Sequence, residues 1–168
     1  EQLSRWNHQL PKLTMAVNLS ARNLVDRSCP EKLEEIVRSV GVDPGLVEFE
    51  LTESAVMSDP ETALKMLGRM HDSGARLAID DFGTGYSSLA YLTRLPVDVL
   101  KIDRSFVAQM AAGGKDLAVV RSTVQLAHSL DLGVVAEGVE DAATAQTLRE
   151  MGCDLGQGYF FAPPAPAE

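Results

Sequence analysis

Long apolar runs, clustered basic residues and paired metal-ligand cysteines or histidines are all missing from this sequence of 168 residues. No apolar stretch approaches the roughly 20 residues that cross a bilayer, and the N-terminus lacks the layout of a signal peptide. The two cysteines, Cys29 and Cys153, have no metal-ligand spacing; they read as reduced structural thiols, which makes the cytoplasm the expected compartment and leaves a membrane tether in the parent protein open. His8, His71 and His128 lie in helical stretches without ligand spacing and read as structural or exposed. There is no internal repeat, and the Ala-Pro tail from Ala162 to Glu168 is the one low-complexity segment. Fifteen Lys and Arg against 24 Asp and Glu give a net charge of −9. That field repels polyanions, so a DNA or RNA polymer is not an expected partner. An anionic small molecule would need a cation held by carboxylates to mediate its binding.

What is present describes one ordinary globular domain, 45% apolar and 23% charged, long enough for a sizeable core. Apolar runs alternate with amphipathic stretches, the pattern of βα units around a parallel sheet. Strands are expected at Thr14–Leu19, Val47–Leu51, Arg76–Asp80, Val97–Ile102, Gly133–Ala136 and, more weakly marked, Gly156–Phe161. Ser58-Asp59-Pro60-Glu61 predicts a capping box with proline near a helix start, and Gly74 stands where that helix should stop. Ala63, Leu67 and Met70 give this helix one apolar face. A second helix is expected over Asp116–Leu130 with Leu117, Val120, Val124 and Ala127 on one side, and Asp141 is the expected cap of a third ending before Gly152.

Polar residues close these apolar runs: Val17-Asn18, Phe49-Glu50, Ile79-Asp80, Ile102-Asp103, Ala136-Glu137 and Gly156-Gln157. Asn18 to Glu50 is 32 residues, Glu50 to Asp80 is 30 and Lys101 to Glu137 is 36, intervals that fit a βαβ repeat. Polar groups one repeat apart at strand C-termini converge on one rim, which in a (β/α) barrel carries the active site. Six strand candidates leave two topologies open, an open doubly wound sheet or a barrel short of its first two strands. Asp80 and Asp81 together are the costliest feature. Adjacent carboxylates after a buried strand repel each other, and burial disfavours their charge unless a cation or proton compensates. A metal centre is the chemistry this predicts.

The motifs Val17-Asn18-Leu19-Ser20, Glu50-Leu51-Thr52-Glu53-Ser54, Asp80-Asp81-Phe82-Gly83-Thr84-Gly85-Tyr86-Ser87-Ser88, Lys101-Ile102-Asp103, Ala136-Glu137-Gly138-Val139-Glu140 and Gln157-Gly158-Tyr159-Phe160-Phe161 follow in that order. The set resembles the EAL domain of bacterial cyclic-di-GMP phosphodiesterases across nearly the whole chain. The resemblance implies a TIM-like (β/α) barrel that hydrolyses cyclic-di-GMP to linear pGpG with Mg²⁺ or Mn²⁺ in a two-metal site. The family's naming Glu-Ala-Leu motif and the Leu-Arg pair after it are absent from the sequence. In the family that strand supplies a metal-ligating glutamate and a phosphate-holding arginine. The expectation is therefore a single EAL domain over 1–168, N-terminally truncated, an incomplete α/β barrel with about six of eight strands.

By the same resemblance Asn18, Glu50 and Asp80 ligate one metal, with Asp81 helping to hold a second, Asp103 beside it and Glu137 in the metal and water cluster. Lys101 would orient or deprotonate the attacking water, and Gln157 would hydrogen-bond in the cluster. Glu53 would hold the loop after Asp81, in which Gly83 and Gly85 permit positive φ. Ser87 and Ser88 would open a helix facing an anion, and Pro163 with Pro164 fall where family members contact a guanine. Each side chain has a plainer reading: Asn18, Glu53 and Gln157 as turn or cap residues, Lys101 as a snorkelling side chain, Asp103 and Asp141 as N-caps, Glu140 as surface. Taken together the strand-end carboxylates resist that reading, because uncompensated they destabilise a fold.

Two functions of different class follow: an active cyclic-di-GMP phosphodiesterase, or a regulatory module that binds the nucleotide without cleaving it. The missing glutamate and arginine predict that the chain alone is nearly inactive. Bare strand edges predict a homodimer or strand-exchanged oligomer. Sensory or cyclase domains are expected upstream in the parent protein.

Overall fold

The computed structural model describes residues 1–10, 12–85 and 89–166, arranged as two compact units. The first comprises Glu1–Ala78 with Ser87–Val97, the second Ile79–Tyr86 with Asp98–Glu168.

In the first unit a short helix α1 (Gln2–Asn7) precedes strand β1 (Met15–Asn18). Helices α2 (Ala21–Val25) and α3 (Cys29–Ser39) carry the chain over to β2 (Val47–Thr52), which pairs parallel with β1 and sets Asn18 opposite Glu50. β2 is buried on both faces, with Phe49, Glu50 and Leu51 at 4%, 6% and 0% exposure, which is why it reads as a run rather than an alternation. Helices α4 (Glu53–Ser58) and α5 (Pro60–Asp72) then lead to β3 (Arg76–Phe82). α5 buries Ala63, Met66, Leu67 and Met70, one stripe at helical spacing that packs against α2 and α3. Truncating the fully buried Leu67 to alanine would cost about 2–5 kcal/mol. The cap of α5 is Asp59, whose carboxylate accepts from Thr62 N at 3.2 Å, with Pro60 as first helical residue. This corrects the expected Ser58 cap: Ser58 ends α4, and its hydroxyl donates to Ala55 O at 2.7 Å. Gly74 follows the end of α5 with φ +90°, the stop the sequence predicts. Helix α6 (Leu89–Leu92) completes the unit.

The second unit holds the C-terminal half of β3, then β4 (Val99–Ile102), α7 (Arg104–Gln109), α8 (Lys115–Ser129), β5 (Gly133–Ala136), α9 (Ala142–Glu150) and β6 (Leu155–Gly156). β5 pairs parallel with β4 and with β6. α8 lays its buried Val120, Val124 and Ala127 against β4 and β5. Asp141 caps α9 as expected, accepting from Thr144 N at 2.8 Å. The last strand is shorter than the sequence suggests. Only Leu155 and Gly156 pair, because the chain turns at Gly158, where Phe160 N donates to Val139 O and Phe161 N to Gly158 O. A Cβ at Gly158 would lie 2.2 Å from the Val139 carbonyl oxygen, so only glycine permits this turn.

Strands are hydrogen-bonded in the order β1-β2-β3-β4-β5-β6, the order of the sequence. A doubly wound sheet reverses its strand order at a switch point; a sequential order is that of a singly wound barrel. Among the described residues no helix is long and apolar enough to cross a membrane.

Candidate metal centre

Three neighbouring strands deliver the site of the second unit. Parallel register sets Ile102 opposite Ala136 and Ala136 opposite Gly156. The ladder continues past the strand ends: Glu137 N donates to Ile102 O at 3.1 Å, and Gln157 N to Ala136 O at 2.8 Å. Lys101, Glu137 and Gln157 therefore sit at one end of this sheet segment, as the strand-end pattern predicts. Lys101 is 4% exposed in the fully buried β4. Its ammonium lies 2.6 Å from Glu137 Oε1 and 3.2 Å from Asp80 Oδ1. It is a paired, buried charge, so the snorkelling alternative does not apply.

Asp80 and Asp81 should point to opposite faces of a regular strand. They do not separate, because Asp81 takes φ +54°, one of two positive-φ residues other than glycine among the described residues. Aspartate tolerates this left-handed conformation better than most side chains. Asp81 N donates to Asp80 Oδ1 at 3.0 Å, and Thr84 closes a turn by donating its hydroxyl to Asp81 O at 2.8 Å. One carboxylate oxygen each from Asp80, Asp81 and Glu137 fall within 4.8 Å of one another. Burial, then the charges of Asp80 and Asp103, push the Asp81 carboxyl above the ordinary carboxylate range, with Lys101 opposing. The site accumulates more negative charge than Lys101 alone compensates. Three converging carboxylates with no thiol or imidazole among them form a hard oxygen-donor set, suited to Mg²⁺ or Mn²⁺ rather than to a soft cation.

Asp103 caps α7, accepting from Ser105 N at 3.0 Å and from the Ser105 hydroxyl. Burial works against its charge, but the Ser105 bonds and a side-chain bond with Asp81 hold it below the ordinary range. The cap reading of Asp103 is thus realised, and the residue also touches the acidic cluster through Asp81. Asn18 and Glu50 close their strands side by side in the first unit, Asn18 exposed and Glu50 buried. Glu53 is 1% exposed at the first position of α4. Pro163 lies exposed in the irregular segment after β6 and lines none of the cavities described here. Ser87 and Ser88, with Tyr86, lie outside the described residues.

A cavity of about 280 Å³ opens beside Glu137, walled by Gln157, Glu140, Tyr159 and Arg104 together with Gly138 and Gly158. Glu140 is exposed, as the sequence suggests, while Arg104 and Tyr159 are not among the site residues singled out there. A usable signal was there for Arg104: a cation directly after a strand-end aspartate, in the first turn of a helix, where the helix dipole favours anions.

The EAL domain family profile matches residues 1–164. A cyclic di-GMP phosphodiesterase of Pseudomonas aeruginosa, NbdA, is 43% identical over 155 residues, covering 92% of this chain and 20% of its own length. The structure of the PaMucR phosphodiesterase in complex with c-di-GMP superposes with a TM-score of 0.95 at 38% identity, covering 99% of this chain and 68% of that one. Klebsiella pneumoniae BlrP1, in a manganese and cyclic-di-GMP complex, has a TM-score of 0.83 at 34% identity, covering 94% of this chain and 41% of that one. The chain spans about a fifth of the length of the curated relatives it matches. Six parallel strands with helices between them make the α/β, TIM-like architecture of these neighbours. With that order of strands, an acidic cluster at their C-terminal ends and a profile match from the first residue to Pro164, the chain belongs to the EAL domain family.

Proposed function

We propose that this chain carries the metal-binding portion of a cyclic-di-GMP phosphodiesterase, converting the cyclic dinucleotide to linear pGpG. The observation that carries the reading is the buried Lys101 ammonium bridging Asp80 and Glu137 inside a hard-donor cluster. Two structures similar to this chain, PaMucR and BlrP1, are c-di-GMP complexes, the latter with manganese.

Asp80, Asp81 and Glu137 would hold Mg²⁺ or Mn²⁺, with Asp103 beside them; Asn18 and Glu50 are further oxygen donors of the same hard class. Ions of this kind polarise a phosphoryl oxygen and lower the pKa of bound water. The remaining chemistry belongs to the side chains. Lys101, held as an ammonium by Glu137 and Asp80, orients the attacking water by donating to its oxygen, and the proton the water gives up passes to the neighbouring carboxylate of Glu137 and on to the departing O3′. Water adds to phosphorus, the P–O3′ bond breaks, and the released O3′ takes up a proton, leaving a 5′-phosphate. Gln157, at the end of β6 in the same unit, would hydrogen-bond within the cluster, and Pro163 would contact a guanine.

The chain lacks the family's Glu-Ala-Leu glutamate and the following arginine. Losing one ligand and one phosphate contact would slow turnover by about a thousandfold or more. The test is chromatographic analysis of cyclic-di-GMP incubated with concentrated protein and Mn²⁺. Slow, Mn²⁺-dependent formation of pGpG that vanishes in Asp80→Asn supports the reading. Nucleotide binding without product favours the regulatory module. Metal-independent turnover, or activity that survives Asp80→Asn, overturns the metal assignment.

A further inference from the structure

We propose that Arg104 is a substrate-binding residue of this site, its guanidinium holding a phosphate oxygen of the nucleotide from the cavity beside Glu137. The inference rests on the phosphodiesterase reading above and adds a cation to the residues assigned there.

Arg104 is the one cation among the described residues lining that cavity, which it shares with Glu137 and Gln157 at the strand ends. Its backbone is fixed in place. Gly138, at φ +69°, packs so closely that a Cβ there would lie 2.5 Å from Arg104 Cβ and 3.3 Å from its Cα. The loop after β5 thus seats directly on the start of α7 and fixes where the arginine side chain begins. Its placement is otherwise unfavourable. As the first residue of α7 it opposes the helix dipole, and among the described residues its guanidinium is in no ion pair although the chain carries a net charge of −9. An exposed arginine whose backbone packs against Gly138 beside an acidic cluster, and whose guanidinium is in no ion pair among the described residues, is available for an incoming anion.

The reaction has use for it. A phosphodiester carries one negative charge, and cleavage to a monoester adds another on the same phosphorus. A planar guanidinium can meet two phosphate oxygens at once, which a lysine cannot. Charge accumulating on the phosphoryl group as the P–O3′ bond breaks is matched by a cation already in position.

Equilibrium titration of the 168-residue chain with cyclic-di-GMP in the presence of Mn²⁺ tests this, comparing Arg104→Gln, Arg104→Lys and, as a control on the exposed face of α8, Arg121→Gln. Arg104→Gln should weaken nucleotide binding about tenfold or more, as expected for loss of a charged hydrogen bond. Arg104→Lys should fall between it and the unaltered chain, and Arg121→Gln should have no effect. Mn²⁺ affinity measured without nucleotide should stay the same in all of them, which separates a phosphate contact from a role in shaping the metal cluster. The deficit should narrow in about 0.5 M NaCl, where exposed charge interactions are screened. Unchanged nucleotide affinity in Arg104→Gln, or a parallel loss of Mn²⁺ affinity, overturns the role of Arg104 and leaves the phosphodiesterase reading standing. Absence of any cyclic-di-GMP binding by the unaltered chain overturns both.

Discussion

The Lys101 ammonium and the Glu137 carboxylate meet at 2.6 Å at the ends of adjacent parallel strands, and the lysine side chain is 5% exposed. Lys101 thereby serves as the internal counter-charge of the cluster. Replacing it with methionine leaves Asp80, Asp81 and Glu137 uncompensated, and the metal-free protein should lose roughly 3 kcal/mol in urea unfolding. Mn²⁺ should recover much of that loss, since the ions supply the missing positive charge. An equal deficit with and without Mn²⁺ would show that the lysine matters for packing alone.

Asp81 turns the end of β3 through a left-handed conformation, and that turn keeps its carboxylate near Asp80. Without metal, Asp81→Gly should be more stable than Asp81→Ala by about 1–2 kcal/mol, because glycine adopts φ +54° without a Cβ penalty. Both variants should lose Mn²⁺ affinity alike. Equal stabilities in chemical denaturation would mean that the turn carries no strain.

Asp154 ties three elements together at the other end of the second unit. Its Oδ2 accepts from Val134 N at 2.8 Å and lies 3.0 Å from His128 Nε2. Burial opposes its charge, but these bonds hold its pKa below the ordinary carboxylate value. A depressed carboxylate pKa contributes stability above the unfolded-state value and loses it as pH falls through the folded-state value. Asp154→Asn should therefore lower Tm at pH 7, and the gap should close below about pH 4. A gap that is constant from pH 7 to pH 3 contradicts this assignment.

β6 ends the sheet, with Leu155 65% exposed and Phe160 and Phe161 exposed just beyond it. An apolar strand edge is a template for a second copy. Sedimentation at micromolar concentration should show self-association that Leu155→Lys reduces. A monodisperse monomer for the unaltered chain would refute it.

Much of this was legible from sequence. The parallel strands were readable because each is an apolar run closed by a polar residue, and buried strands need not alternate. Asp80, Lys101 and Glu137 could be grouped because βα spacing sends strand ends to one rim. The turn at Asp81 was not readable, since a two-residue period predicts opposite faces for adjacent carboxylates. β6 read too long because Phe160 and Phe161 are apolar, although the close approach of Gly158 to Val139 turns them out of the strand. Ser58 carries the capping-box spacing to Glu61, but Asp59, directly before Pro60, takes the cap position and accepts from Thr62 N. Arg104 escaped notice because its significance comes from the cavity formed when Gly138 packs against it.

The central claim is that the Asp80, Asp81 and Glu137 cluster is a divalent-metal centre. Isothermal titration with Mn²⁺, comparing the chain with its Asp80→Asn variant, tests it most directly. Binding by the unaltered chain that weakens at least about tenfold in the variant, with the fold retained by circular dichroism, is the predicted result. Equal Mn²⁺ affinity in the two proteins, or none in either, would contradict it.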